Sequence, residues 1–133
     1  MFKVSTKAIE KDKGILYILL VHLEDKDLVK IGITTRSKIE DRVVEILTSI
    51  FQQYRRFPYC YPKRFKKTDK ILDKEARLHK YFEDYRYTTE HPFSGHTEFF
   101  DIDLDIVVDA YERLLKGEDL AEKYESKQEP DMA

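Results

Sequence analysis

Two stretches decide how this chain reads: Gly14-Ile-Leu-Tyr-Ile-Leu-Leu-Val21 and Val29-Lys-Ile-Gly-Ile-Thr-Thr-Arg36. From Ile15 to Val21 the first is continuously apolar, as a strand covered on both faces must be. Ile15, Tyr17, Leu19 and Val21 fall on one side, and Leu16, Ile18 and Leu20 on the other. In the second stretch, Lys30 and Gly32 share a side, and Val29, Ile31 and Ile33 take the opposite one. The seven-residue spacer between them, His22 to Leu28, reads as a polar, acidic turn, so an antiparallel hairpin is expected.

Outward from the hairpin, Ser37-Lys-Ile-Glu40 has the form of a capping box. Ile39, Val43, Ile46 and Ile50 then recur at helical spacing, which predicts a helix to about Phe51. Phe57 to Tyr61 reads as a third strand, at an edge because Pro58 and Pro62 flank its core. Thr68 or Asp69 is placed to cap a second helix with the stripe Ile71, Leu78, Phe82 and Tyr85. Thr88 to Thr97 reads as a loop, and Glu98 to Ile102 as a short strand or extended segment. Leu104, Val107, Val108, Tyr111, Leu114 and Leu115 predict a last helix ended by Gly117. The expectation is one domain over residues 1–117 and a frayed or disordered tail over 118–133. There is no internal repeat.

The 133 residues are enough for one core without metal or disulfide staples. The single cysteine, Cys60, excludes a disulfide framework and a Cys-rich zinc module. No apolar run is long enough to span a bilayer, and the eight residues Gly14–Val21 follow a mixed-charge start unlike a signal peptide. A soluble protein of a reducing compartment is expected. Net charge is −2, but it is segregated. Seven basic residues (Arg55, Arg56, Lys63, Arg64, Lys66, Lys67, Lys70) face one acid between Tyr54 and Lys70, interleaved with Tyr54, Phe57, Tyr59, Tyr61 and Phe65. Such a segment can hold a phosphate backbone, or be a solvated loop with its rings turned inward. The tail carries six acids against two lysines after Gly117.

Several residues break the apolar pattern. Glu75 lies on the second helix's stripe, where a carboxylate is costly unless paired, to Lys74 or Arg77, or bound to a cation. Arg42 borders the first helix's apolar face, either snorkelling to water or aimed at a phosphate. Tyr17 interrupts an apolar strand. His79 follows Glu75 by one helical turn and shares its face. His91 and His96 flank a loop, and no structural zinc site is expected. The chain has no P-loop, GxGxxG, GxSxG or HExxH motif.

Taken together, these pieces resemble the GIY-YIG nuclease superfamily over about residues 14–102. GILYILL (Gly14 to Leu20) and VKIGITTR (Val29 to Arg36) resemble its paired motif. SKIEDRVVEIL (Ser37 to Leu47) is similar to its first helix. KEARLHKYFEDYR (Lys74 to Arg86) and SGHTEFFDI (Ser94 to Ile102) are similar to a branch common in phages and mobile elements. The second motif has Lys30 where the superfamily name has Tyr, and the first has Gly14 shifted by one residue.

The resemblance implies a small α/β (α+β) fold, a central three-stranded antiparallel sheet flanked by helices. It implies an endonuclease that hydrolyses DNA phosphodiesters with one divalent metal, Mg²⁺ or Mn²⁺. By motif position Tyr17 would lie beside the attacking water, Arg42 on the phosphate and Glu75 on the metal. Lys30 and His79 join them as candidate catalytic residues, with Glu98 in second rank. Candidate substrate contacts are Gly32, Thr34, Arg36, Arg55, Arg56, Lys63, Arg64, Lys66 and Lys67. Gly32 is expected to let backbone or substrate approach closely. The chemistry asks for these types: a cation neutralises the anionic transition state, and Mg²⁺ needs only one or two carboxylates. The partner implied is DNA rather than RNA, with no membrane, in the cytoplasm of a bacterial or phage-infected cell. One small centre facing two strands makes a homodimer an option for double-strand cleavage. The competing readings are a catalytically silent DNA-binding relative and a protein-interaction module.

Overall fold

A computed structural model describes residues 12–126. Strands β1 (Lys13–Leu23) and β2 (Lys26–Thr34) form the expected hairpin, with Tyr17 opposite Gly32 and Leu19 opposite Lys30. Helix α1 (Ile39–Tyr54) follows, then β3 (Tyr59–Asp69), α2 (Ile71–Tyr81), a 3₁₀ turn at Glu83–Tyr85, another at His96–Glu98, β4 (Phe99–Phe100) and α3 (Leu104–Leu115). The sheet is antiparallel in the order β3-β1-β2-β4. The fold is the expected small α+β architecture. Its sheet has four strands rather than three, because Phe99 and Phe100 pair with Lys30 and Val29 on the far edge of β2.

Both faces of β1 are covered, which explains its apolar run. Ile15, Tyr17, Leu19 and Val21 pack with Ile39, Ile46 and Ile50 of α1 and with Phe93 and Phe99. Leu16 and Ile18 pack with Leu78 of α2, Phe82 and Phe100, and with Val107, Ala110, Tyr111 and Leu114 of α3. The buried Tyr111 hydroxyl donates to the Leu16 carbonyl at 2.7 Å, so that ring enters the core without an orphaned polar group. Among the described residues no helix is long and apolar enough to cross a membrane.

Four local expectations differ from the structure. The third strand is not Phe57–Tyr61 but runs eleven residues from Tyr59, and it absorbs Thr68 and Asp69, which therefore cap nothing. It is an edge strand exposed along most of its length, so it shows no alternation to read. A register shift opposite Ile18/Leu19 accommodates Pro62 and Lys63. Helix α2 instead starts after Lys70 in the left-handed region (φ 50°), and Asp12 accepts from the backbone N–H groups of Ile71 and Leu72. It stops at Tyr81 rather than near Tyr85. The capping box at Ser37 does not form: Lys38 is the N-cap of α1, with no side-chain bond. The tail is not frayed in its described part, since Leu120 and Tyr124 pack on the α2–α3 side and the Tyr124 N–H donates to the Tyr81 carbonyl at 2.8 Å. Residues 127–133 of that tail lie outside the described residues.

Candidate active site

The polar residues that broke the apolar pattern converge where β4 stops. Tyr17 is fully buried, and its ring lies over Gly32 of the paired strand. A Cβ at Gly32 would overlap the Tyr17 hydroxyl. Gly32 is itself buried, so it makes room for Tyr17 rather than for substrate, contrary to the expectation. Gly32→Ala is therefore expected to displace the ring, costing about 1–3 kcal/mol of stability. A thermal melt checks this, and an unchanged melting temperature would show that the ring does not need this space.

The Tyr17 hydroxyl accepts from Arg42 Nε on α1 at 3.2 Å. Burial pushes the phenol up to about 12 despite this bond. It stays protonated at neutral pH, so with Arg42 on a lone pair the hydroxyl keeps its own hydrogen to donate. Arg42 Nη1 donates to Glu45 at 3.2 Å, and Glu45 also pairs with Arg36. Burial works against the Arg42 charge, but the Tyr17 and Glu45 bonds hold its pKa above the ordinary value. Thr34, Arg36, Arg42 and Glu45 line a shallow pocket beside the centre. Glu45 was not singled out in the sequence. Its signal was there, one turn after Arg42 at i+3.

Lys30 has no exposed surface. It is on the Tyr17 side of the sheet, as the alternation requires, with Nζ 5.9 Å from the Tyr17 ring centre and 5.5 Å from that of Phe99. Its ammonium pairs with Glu98 and donates to the Gly95 carbonyl at 3.4 Å. Burial lowers its pKa, and Glu98 offsets only part of that. Gly95 has φ 82°, a backbone conformation that favours glycine, and a Cβ there would press on Lys30 Nζ at 2.7 Å.

Glu75 on α2 is paired to neither Lys74 nor Arg77, which bind Asp69 and Asp73 instead. Its Oε2 is buried with no hydrogen-bond partner. Burial, then the neighbouring Glu98, push the carboxyl up to about 7, while Lys30 and Arg42 pull it back. His79 Nε2 lies 3.8 Å from Glu75 Oε2, too far for a hydrogen bond, and 2.8 Å from the Ile31 carbonyl. A carbonyl only accepts, so Nε2 carries the hydrogen and has no lone pair for a metal. Burial keeps this imidazole below its usual pKa.

Residues 14–115 match the T5orf172 domain. The chain belongs to that family. It is a phage-associated domain of endonuclease context. No protein of curated function and no solved structure matches the chain.

Not every expected site residue of the T5orf172 domain joins the centre. Tyr17, Lys30, Arg42, Glu75, His79 and Glu98 do, with Thr34 and Arg36 at its margin. Arg55 and Arg56 follow the end of α1, and Lys63, Arg64, Lys66 and Lys67 lie exposed on β3, the edge opposite β4. Arg64 is engaged by Glu112 of α3 at 2.8 Å.

Glu24, also unremarked in the sequence, ties down the loop that supplies Gly95 and Glu98. Its carboxylate accepts from the hydroxyls of Tyr54 and Tyr87 and from the Glu90 N–H. Burial opposes the charge, yet these bonds hold the carboxyl below the usual range. Glu24→Ala is expected to cost about 2–3 kcal/mol, since three donors lose one ionised acceptor. Thermal melts measure the loss, and faster amide exchange at Glu90 would place it in this loop.

Proposed function

We propose that this T5orf172 domain is a metal-dependent endonuclease hydrolysing DNA phosphodiester bonds, with a centre of the GIY-YIG type. The observation that carries the reading is the Glu75 carboxylate, buried with an unpartnered oxygen beside Lys30, Arg42 and Glu98. A carboxylate is held there at a cost that only a cation or a proton relieves. Among the described residues no three His, Cys, Asp or Glu side chains cluster as a metal cage. That suits Mg²⁺ or Mn²⁺, which bind through one or two carboxylates and keep their remaining positions for water and phosphate. Glu75 is the residue that would hold the ion, and bound there it would supply positive charge to the scissile phosphate.

The chain's own groups divide the rest of the work. Arg42, with Nε on Tyr17 and Nη1 on Glu45, has Nη2 left for a phosphate oxygen, and its charge offsets the charge that builds in the transition state. The Tyr17 hydroxyl orients the attacking water. Glu98, held by Lys30, is the carboxylate placed to receive the proton that the water sheds. His79 fixes the β2 edge through Ile31 and is a positioning residue in this scheme.

Supercoiled plasmid with Mg²⁺ or Mn²⁺ tests the reading. Nicked or linear product is expected with either metal and none with chelator. Intact plasmid and intact phage DNA under both metals would leave a DNA-binding role without catalysis.

A further inference from the structure

The aromatic residues of β3 have a use that the centre does not account for. Tyr59 and Tyr61 lie opposite His22 and Leu20 of β1, on the face that α3 covers only in part. Cover ends near the Arg64–Glu112 pair: Ile18, opposite Arg64, is buried, and Leu20 beyond it is partly exposed. Leu20, His22, Asp27, Tyr59 and Tyr61 line a shallow hollow in the open part. The rings are 69% and 52% exposed, and among the described residues neither has an aromatic neighbour or a hydrogen bond at its hydroxyl.

The charge beside Tyr61 toward the end of the strand is basic, while acids (Asp25, Asp27) lie on the Tyr59 side. Lys63, Lys66 and Lys67 have no ion-pair partner among the described residues. The acid of the strand, Asp69, is taken by Lys74, and Asp27 in the hollow is held by His22 at 2.9 Å. Lys63 Nζ stands 5.7 Å from the Tyr61 ring centre, an ammonium beside a stacking face.

We infer that Tyr59 and Tyr61 form a stacking platform for two unpaired bases of a nucleic-acid strand whose phosphates lie against Lys63 and Lys66, the lysines nearest the rings and on their face of the sheet. Spacing selects the unpaired form. Residues two apart on one face of a strand are about 6.6 Å apart, about twice the 3.4 Å step along each strand of a duplex. Two successive bases reach both rings only when unstacked and stretched. Within the proposed nuclease reading, on which this rests, the substrate is DNA with a single-stranded segment, such as a flap, bubble or melted end.

Fluorescence anisotropy in chelator tests it, with a labelled oligothymidylate and a labelled hairpin duplex as probes. The Tyr59→Ala/Tyr61→Ala double variant is expected to bind the single strand about tenfold more weakly per ring lost, with duplex binding unchanged. The Tyr59→Phe/Tyr61→Phe variant, which keeps both π faces, should stay within about threefold of wild type. A 2-aminopurine pair in the oligonucleotide should be quenched by wild-type protein, a readout that needs no variant to fold. Single-strand affinity unaltered by the alanines, an equal loss for both probes, or unquenched 2-aminopurine would each overturn the platform. Because cleavage needs metal and Glu75 while this binding needs neither, intact plasmid with a working platform would sink only the nuclease.

Discussion

Glu75→Gln should abolish metal-dependent nicking, by at least about a thousandfold, and should also make the metal-free protein more stable at pH 8. The first effect follows from removing the ligand of a cation that contributes several kcal/mol of charge neutralisation. The second comes from the pKa of about 7 in the folded protein against 4.5 for an ordinary glutamate. Above pH 7 the carboxyl is ionised in both the folded and unfolded chains, and only the folded chain holds it in an unfavourable place. Below pH 4.5 both forms are protonated and the penalty vanishes. The wild type therefore loses stability as pH rises from about 4.5 to 7, and glutamine does not. After discounting for partial exposure, the gain at pH 8 is about 2 kcal/mol, or roughly 5–10 °C in Tm. It should shrink to nearly nothing at pH 4. Added Mg²⁺ should raise the Tm of wild type alone. Activity should climb with pH up to about 7 and shift to lower pH as metal is raised, because proton and cation compete for one oxygen. A glutamine variant that nicks, or that melts no later than wild type at pH 8, would end this reading of the site.

Arg42→Lys is expected to be nearly as damaging as Arg42→Ala, each lowering kcat by about 10²–10³-fold with a smaller change in KM. A lysine keeps the charge. It cannot reach Tyr17 and Glu45 from two fixed nitrogens while presenting a third to the phosphate. Both variants should fold, with a cost of about 1–2 kcal/mol for leaving the buried Tyr17 hydroxyl without its donor. Steady-state cleavage of a short defined substrate separates the two constants. A lysine variant within tenfold of wild-type kcat would reduce Arg42 to a source of bulk positive charge.

The hairpin and its two faces could be read from residues because β1 is buried on both sides and β2 alternates against it. Alternation put Lys30 and Gly32 together on one side of β2, the pairing with β1 makes that the Tyr17 side, and Glu75 drew notice by standing on an apolar stripe. β3 escaped for the opposite reason: an exposed edge imposes no period on its side chains, and its length comes from pairing with β1. Local caps misled as well. Ser37 and Thr68 offered hydroxyls near helix starts, yet Lys38 and Lys70 took the cap positions, and the first N–H groups of α2 found Asp12, 60 residues away. Glu24 and Glu45 stayed hidden because an acid among 38% charged residues attracts no attention until its partners are known.

The brevity of β4 has a further consequence. Two residues suffice to attach the returning chain to β2, after which the Ile31 carbonyl meets His79 rather than another strand. The cleft is thus an interrupted seam. The segment bordering it, from Tyr87 to Glu98, is anchored at one end by Glu24 and at the other by β4. Phe93 within it packs into the layer under α1, so only its exposed residues, such as Thr88 and Pro92, can vary without disturbing that layer. The border of the centre and the core beneath it are thus held by different residues of one short segment.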